Sequence, residues 1–277
     1  MKPALEISLC MIVKNEEKIL AKCLDHIKNH VDEIVLLDTG STDGTINVAR
    51  GYTERVFRVK WENSFAAARN VSLGYATKDW VLFQDADEFI QNPSLIKEFL
   101  GQTSADCVAF TKANAFVDQN AINNLSEYEN APDVYYTSQE KLLRNHLGLR
   151  FTGAVHEIVV NECMHRPRIV SFPAKMIHLM DIETKEFKKK YYNELGKQAL
   201  YDGDRNVNLL VRHLLFSLEA GNTQEFYDLF DRFSEELQYE RRMDFLLPSF
   251  SKWLESINPR YKERFLCWIE NGRRCPY

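Results

Sequence analysis

Four short apolar runs dominate the first third of the chain: residues 6–13 (EISLCMIV), 32–38 (DEIVLLD), 55–61 (RVFRVKW) and 79–85 (DWVLFQD). Between them lie stretches of helical character. Ile19, Leu20, Cys23, Leu24 and Ile27 repeat on one helical face within a helix expected over 16–29, with Asn15 as a candidate cap. Residues 45–51 suit a short helix, and 64–76 suit a helix capped by Ser64. Strand and helix in strict alternation predict an α/β fold with a mainly parallel twisted sheet flanked by helices. In such sheets ligands bind beyond the carboxyl ends of the strands. Lys14-Asn15-Glu16, Asp38 to Asp43, and Asp85 to Glu88 all fall at such ends, so they are expected to converge on one crevice.

The last of these groups is the most pointed. The stretch WVLFQDADEFI (80–90) drives an apolar strand into Asp85, Asp87 and Glu88. Acids favour a helix N-terminus, so a helix cap is one reading. Three carboxylates this close repel one another, however, and a cap needs one. A divalent cation with oxygen ligands removes the repulsion, and the metal reading leads.

After residue 90 the order is less regular. Strands are expected at 106–117, within 139–160 around turns at Gly148 and Gly153, and within 168–181. From 183 the pattern is helical, punctuated by Gly203, Gly221 and Pro259. The expected organisation is a sheet domain over 1–182 and a smaller helical region over 183–277.

Composition excludes several classes. With 277 residues, 45% hydrophobic and 27% charged, the chain can build a sizeable core. A net charge of -5 gives no basic footprint for nucleic acid. No apolar run reaches the length of a membrane span, and the N-terminal segment lacks the apolar centre of a signal peptide. The six cysteines form no C-x-x-C pair and are expected as buried or incidental thiols in a reducing cytosol, a Cys267–Cys275 bridge being the weak alternative. A cytoplasmic location, peripheral at the inner face of the membrane at most, is the expectation.

Taken in order, ISLCMIVKNEE, VDEIVLLDTGSTDGT, SFAAARN and DWVLFQDADE resemble the family-2 glycosyltransferases of GT-A fold. FTGAVHEIV (151–159) and MIHLMD (176–181) extend the resemblance to the subgroup holding lipopolysaccharide-core glucosyltransferases, bacteriocin peptide S-glycosyltransferases and enzymes with tetratricopeptide-like helical tails. In that subgroup the late histidine is often followed by x-G-Y, whereas this chain has His178-Leu179-Met180-Asp181.

The resemblance implies a metal-dependent, inverting hexosyltransferase that moves sugar from a nucleoside-diphosphate sugar, expected to be a UDP-sugar, to a saccharide, glycolipid or peptide acceptor. It makes Asp85 and Asp87 the D-x-D pair. Asp87 would bind Mn²⁺ or Mg²⁺, and Asp85 the ribose or the ion's water shell. Such an ion stabilises charge on the departing diphosphate without proton transfer. Asp38 resembles the carboxylate that accepts a hydrogen bond from the base; an Asx-type turn with Gly40 is the competing reading, and the place of Asp38 at a strand end favours the first. Lys14, Asn15 and Glu16 should line the same pocket, with Asp43 and Thr45 as turn and cap residues. Arg69 would meet the diphosphate or pair with the acids. His178 is a candidate late metal ligand, which would favour Mn²⁺. Glu157, beside His156, is the candidate base, and Asp181 its rival. Glu88 is expected to be a supporting or helix-start acid. The lysines of KEFKKKYY (185–192) read as a solvated helix face, with cover over the diphosphate as the weaker alternative. The four tryptophans read as core. A nucleotidyltransferase and a catalytically silent nucleotide-binding or helical scaffold are the competing functions. The first would usually carry a glycine in the loop that here reads MIVKNEE.

Overall fold

The computed structural model describes residues 5–117, 134–161 and 167–204, together with separate positions between 209 and 263. The chain divides into two compact units, Met1–Ala199 and Leu200–Tyr277. In the second unit the described positions after 208 are helical except Asn222, and Leu209, Leu210, Leu214 and Leu229 are buried.

The first unit opens with β1 (Ile7–Val13), α1 (Leu20–Ile27), β2 (Glu33–Asp38), α2 (Thr45–Arg50), β3 (Val56–Arg58), α3 (Phe65–Tyr75) and β4 (Trp80–Phe83). The alternation expected from the apolar runs is therefore present. It continues with β5 (Glu88–Ile90), α4 (Leu95–Gln102), β6 (Cys107–Val117), β7 (Tyr135–Arg144), β8 (Leu149–Thr152), β9 (Ile158–Asn161), β10 (Ile169–Ser171), β11 (Met176–Asp181) and α5 (Lys185–Tyr201). The main sheet runs β3-β2-β1-β4-β7-β6-β11-β5, with β10 paired to β6, while β8 and β9 form a separate antiparallel pair.

Strand direction decides where a site can lie. β1 runs parallel to β2 and β4. β7 is antiparallel to both β4 and β6, so β6 runs with β4 again, and β11 runs parallel to β6. The carboxyl ends of β1, β2, β4, β6 and β11 thus share one edge. β1 and β4 are apolar on both faces because both are covered, as a central parallel strand requires. Trp80, Phe83, Phe89 and Phe110 are among the largest fully buried side chains, each worth about 1.5–3 kcal/mol of transfer free energy.

Two local expectations are corrected. The first helix begins at Leu20, four residues after the expected start at 16, and Asn15 does not cap it. Asn15 has φ 57°, a left-handed turn conformation that asparagine tolerates. Its N–H donates to Ser41 Oγ at 3.0 Å and its Oδ1 accepts from Thr42 N–H at 2.8 Å, so it ties the β1 end to the loop after β2. Nor does a helix start at the acids: Glu88 opens β5, and α4 begins at Leu95. Ser64 does cap α3, its Oγ accepting from Ala67 N–H at 3.1 Å. Cys10, Cys23 and Cys107 are free and buried, while Cys163, Cys267 and Cys275 lie outside the described residues.

Candidate active site

The chain turns sharply after β4. Glu88 N–H donates to the Asp85 carbonyl at 3.1 Å, and Glu88 Oε2 accepts from Asp85 N–H at 3.0 Å. This gives Asp85 and Asp87 the bend that two alternate residues need to serve one site. Leu179 N–H donates to the Asp87 carbonyl at 2.9 Å, which fixes the turn against β11.

The like charges meet protein cations. Glu88 is fully buried between Lys112 and Lys141, with Lys141 Nζ 2.7 Å from its Oε2. Lys141 Nζ also stands 3.3 Å from Asp85 Oδ2. Arg69, on the inner face of α3, donates from NH2 to Asp85 Oδ1 at 3.2 Å and from Nε to Glu157 Oε1 at 2.5 Å. Its guanidinium lies between the rings of Phe83 and Phe151, at 5.9 and 5.7 Å from their centroids. Burial alone would push the Asp85 carboxyl up; Lys141, Arg69 and Lys112 outweigh it and hold the group well below the usual carboxylate range. Against Asp85, Asp87, Glu88 and Glu157 stand three permanent cations, Arg69, Lys112 and Lys141, leaving one negative charge. Lys112 and Lys141 went unremarked in the sequence, although a lysine inside the apolar run CVAFTKANAFV is itself a signal of a buried partner.

The remaining charge lies at Asp87. Its Oδ2 faces His178 Nε2 at 3.5 Å, with both side chains mostly buried. The other ring nitrogen of His178, Nδ1, is 2.8 Å from Asn114 Oδ1. The Asn114 amide nitrogen donates to the carbonyls of Tyr135 at 3.1 Å and Lys112 at 3.3 Å, so its oxygen is the atom left for the imidazole. Nδ1 must then carry the proton, and a neutral His178 turns the Nε2 lone pair toward a carboxylate. Two lone pairs in that arrangement are satisfied by a proton or by a metal ion. A carboxylate and an imidazole are a donor set suited to Mn²⁺. Among the described residues no three His, Cys, Asp or Glu side chains are placed to hold an ion by themselves. Ions that work on phosphates are commonly held by one or two protein groups plus the phosphate oxygens. The donor set fits such an ion.

On the neighbouring strand ends, Asp38 is fully buried. Its Oδ1 accepts from the N–H groups of Gly40 and Ser41, each at 3.2 Å, which is the Asx-type turn; Gly40 has φ 111°, a conformation that favours glycine there. Arg58 Nε is 3.7 Å from the same oxygen. Lys14 is exposed at the end of β1. Glu16 N–H donates to Thr45 Oγ1 at 2.7 Å, and burial with the nearby Asp87 pushes its carboxyl up to about 8. Asp43 Oδ1 accepts from Thr45 N–H at 3.0 Å, a turn role as expected.

The two candidate bases differ in setting. The Glu157 side chain is 7% exposed and bound to Arg69. It follows Gly153, with φ 98°, and His156, with φ 54°, in the turn between β8 and β9. Asp181 ends β11, half-buried, with Oδ1 accepting from Glu183 N–H at 3.1 Å. Together with Asn15, Glu16, Asp43 and Glu183 it lines a cleft of about 280 Å³.

The lysines of α5 do not all face solvent. Lys189 and Lys190 are exposed, but Lys188 is half-buried, and its charge acts on both Glu16 and Asp87. Trp61 Nε1 donates to Tyr191 Oη at 2.8 Å, and Phe65 meets Tyr192 edge-on at 5.6 Å. Trp61 is therefore half-buried beneath α5, whereas Trp80 is core; Trp253 and Trp268 lie outside the described residues.

A curled mixed sheet flanked by helices, with acids at the carboxyl ends, is the GT-A glycosyltransferase arrangement. The sequence model of Glycosyl transferase family 2 matches residues 8–157, and the chain belongs to that family of enzymes. The structure of S. aureus TarS 1-349 in complex with UDP-GlcNAc is similar, with TM-score 0.51 and 17% identity, over 97% of this chain and 93% of that one. Among sequence relatives, a TPR repeat-containing protein of Synechococcus elongatus is 37% identical over 157 residues, 56% of this chain and 35% of its own length. The SPbeta prophage-derived glycosyltransferase SunS of Bacillus subtilis is 31% identical over 165 residues, with the same coverages. These matches span about a third of each relative's length. No helix among the described residues is long and apolar enough to cross a membrane.

Proposed function

We propose that the chain transfers a hexose, with inversion, from a UDP-sugar to a saccharide, glycolipid or peptide acceptor, using Mn²⁺ or Mg²⁺. The observation that carries this reading is the facing pair of Asp87 and His178, with the His178 proton pinned on Nδ1 by Asn114 and Asp85 one turn away. Asp87 and His178 would hold the ion. When bound, it would supply Lewis-acid stabilisation of the departing diphosphate. UDP as the nucleotide rests on fold likeness to TarS, whose structure contains UDP-GlcNAc.

This chain's own residues then divide the work. Asp85, fixed by Arg69 and Lys141, accepts hydrogen bonds from donor hydroxyls. Asp38 accepts from the base N–H, and Lys14, Asn15 and Glu16 line the nucleotide side. Lys188 offers a positive charge to the diphosphate from α5. Glu157 takes the acceptor's proton as the sugar is attacked from the opposite face.

The experiment is release of UDP from UDP-GlcNAc and UDP-glucose, with and without EDTA, for wild type and Asp87→Asn. Metal-dependent release that Asp87→Asn abolishes is expected. Release indifferent to EDTA and to Asp87→Asn would overturn the metal reading. Asp38→Ala should weaken UDP binding by about 1–3 kcal/mol in calorimetry; an unchanged affinity would reduce Asp38 to its turn.

A further inference from the structure

We propose that Lys141 is a positioning residue, which fixes the orientation and charge of Asp85 so that a divalent ion is left to Asp87 and His178 and Asp85 is kept for the donor. The inference rests on the metal-and-donor reading above.

Lys141 lies within β7, where its side chain is 1% exposed. A buried ammonium is expensive, and an apolar side chain of similar volume would usually serve stability as well. Its contacts give it a more specific task. Nζ bridges two carboxylates, 2.7 Å from Glu88 Oε2 and 3.3 Å from Asp85 Oδ2. Glu88 Oε2 in turn accepts the backbone N–H of Asp85 at 3.0 Å. Lys141 therefore grips Asp85 directly through its carboxylate and indirectly through its peptide.

Asp85 then has a cation on each oxygen, since Arg69 NH2 is 3.2 Å from Oδ1. A carboxylate has about four acceptor positions, so lone pairs remain for hydroxyl donors. What it lacks is spare negative charge to offer an ion. Among the described residues no cation touches Asp87: its side chain faces the imidazole of His178, whose Nε2 carries a lone pair when the ring is neutral, and Lys188 of α5 reaches it through charge alone. Two acids two residues apart are thus made chemically different by which cations reach them.

Lys112 is the internal comparison. It is buried too and ion-pairs with Glu88, yet its second partner is Gln139 Oε1 at 3.3 Å and not Asp85. A role in burying Glu88 is shared by both lysines, and both act on Asp85 through charge; the direct contact with the Asp85 carboxylate belongs to Lys141.

The test is a Mn²⁺ titration, read by the electron paramagnetic resonance signal of the free ion, on the full chain without nucleotide. Calorimetric UDP binding at saturating Mn²⁺ is measured alongside. Lys141→Gln should bind Mn²⁺ at least about fivefold tighter, because a nearby positive charge is gone and Asp85 is released. It should bind UDP roughly tenfold more weakly, the scale of losing a charged hydrogen-bond partner. Opposite signs are the signature, since simple loss of structure weakens both. Lys112→Gln removes a charge that acts on Asp85 but no contact with it, so it should weaken UDP binding clearly less than Lys141→Gln does. Unchanged Mn²⁺ and UDP binding in Lys141→Gln overturns the proposal, as does Lys112→Gln weakening UDP equally. If Lys141→Gln does not fold, Lys141→Arg decides: it keeps the charge, so wild-type Mn²⁺ affinity with weakened UDP binding is expected, and wild-type UDP affinity is the overturning result. Asp87→Asn is titrated in parallel. If it keeps Mn²⁺ affinity, the site reading fails and not the role of Lys141.

Discussion

Asn114 Oδ1 lies 2.8 Å from His178 Nδ1, and this one contact decides which nitrogen of the ring can serve Asp87. Asn114 sits on β6 and His178 on β11, directly paired in the sheet register, so the contact is built into the strand pairing. Removing it frees the imidazole to rotate or to take the other tautomer.

Asn114→Ala should therefore lower Mn²⁺ affinity by about 10–100-fold, the usual cost of losing a partner behind a metal ligand. Asn114→Asp keeps the acceptor and should lose much less. Paramagnetic titration of both variants checks this, with thermal unfolding run alongside because the Asn114 amide also ties strands together. Wild-type affinity in Asn114→Ala would remove His178 from the proposed ligand set.

Arg69 holds Asp85 and Glu157 with separate arms of one guanidinium. A lysine at that position cannot present two N–H groups in a fixed fork. Arg69→Lys is expected to lower kcat and raise the donor KM together. Arg69→Met takes the ion pair from the mostly buried Glu157 and leaves Asp85 to Lys141, and should cost about 3 kcal/mol of stability in urea unfolding. A fully active, fully stable Arg69→Met would mean that neither contact matters in solution.

Glu33 gives a pH prediction away from the acids. Burial pushes its carboxyl up, but hydrogen bonds from Ser8 Oγ and from the Thr77 N–H and hydroxyl, with Arg55 nearby, hold it below its ordinary value of 4.5. A folded-state value below the unfolded one means that Glu33 stabilises the fold fully above 4.5, and that this share is lost as pH falls through the folded value. Glu33→Gln should be about 1–2 kcal/mol less stable than wild type at neutral pH. The gap should narrow as pH drops below 4.5. Urea unfolding of both proteins across that range is the measurement, and a gap that stays constant with pH would argue against an ionised Glu33.

Much of the sheet was legible because β1, β2 and β4 are short, mostly apolar runs bounded by turn residues, as strands covered on both faces require; β3, with Arg58 exposed, carries a weaker signal. The convergence of Lys14 to Glu16, Asp38 and Asp85 to Glu88 on one edge followed from the same alternation. Direction in the second half was not legible, since β6, β7 and β11 reverse and cross over through long connections. That hid Asn114, Lys112 and Lys141, which act on His178, Glu88 and Asp85 only after strands distant in sequence become neighbours. The start of α1 was misread because Asn15 looks like a cap, while its left-handed backbone serves the loop after β2. The spacing of lysines on α5 could not tell which of them would turn toward Glu16.

In the proposed inverting transfer, Glu157 and Asp181 compete for the role of base. Glu157 and Asp181 are separated by environment more than by chemistry. Glu157 is 7% exposed and linked through Arg69 to Asp85, so it shares a rigid frame with the proposed donor contacts. A base must be held in position as the acceptor attacks, and one arm of a guanidinium on Oε1 leaves Oε2 to take the proton. Asp181 lies at the rim, half-buried, with Oδ1 occupied by the N–H of its own turn. That setting suits a residue that shapes the mouth of the cleft. Glu157→Gln should lower kcat by about 100-fold or more with donor affinity near wild type, the pattern of a group that acts in the transition state. Asp181→Asn should change kcat little. The comparison needs turnover with a true acceptor, found by screening saccharides and peptides against UDP-GlcNAc and UDP-glucose. Normal turnover by Glu157→Gln together with a loss in Asp181→Asn would exchange the two roles. Equal losses in both, accompanied by weaker UDP binding, would show that Glu157 serves Arg69 and the donor side and leave the proton to another group.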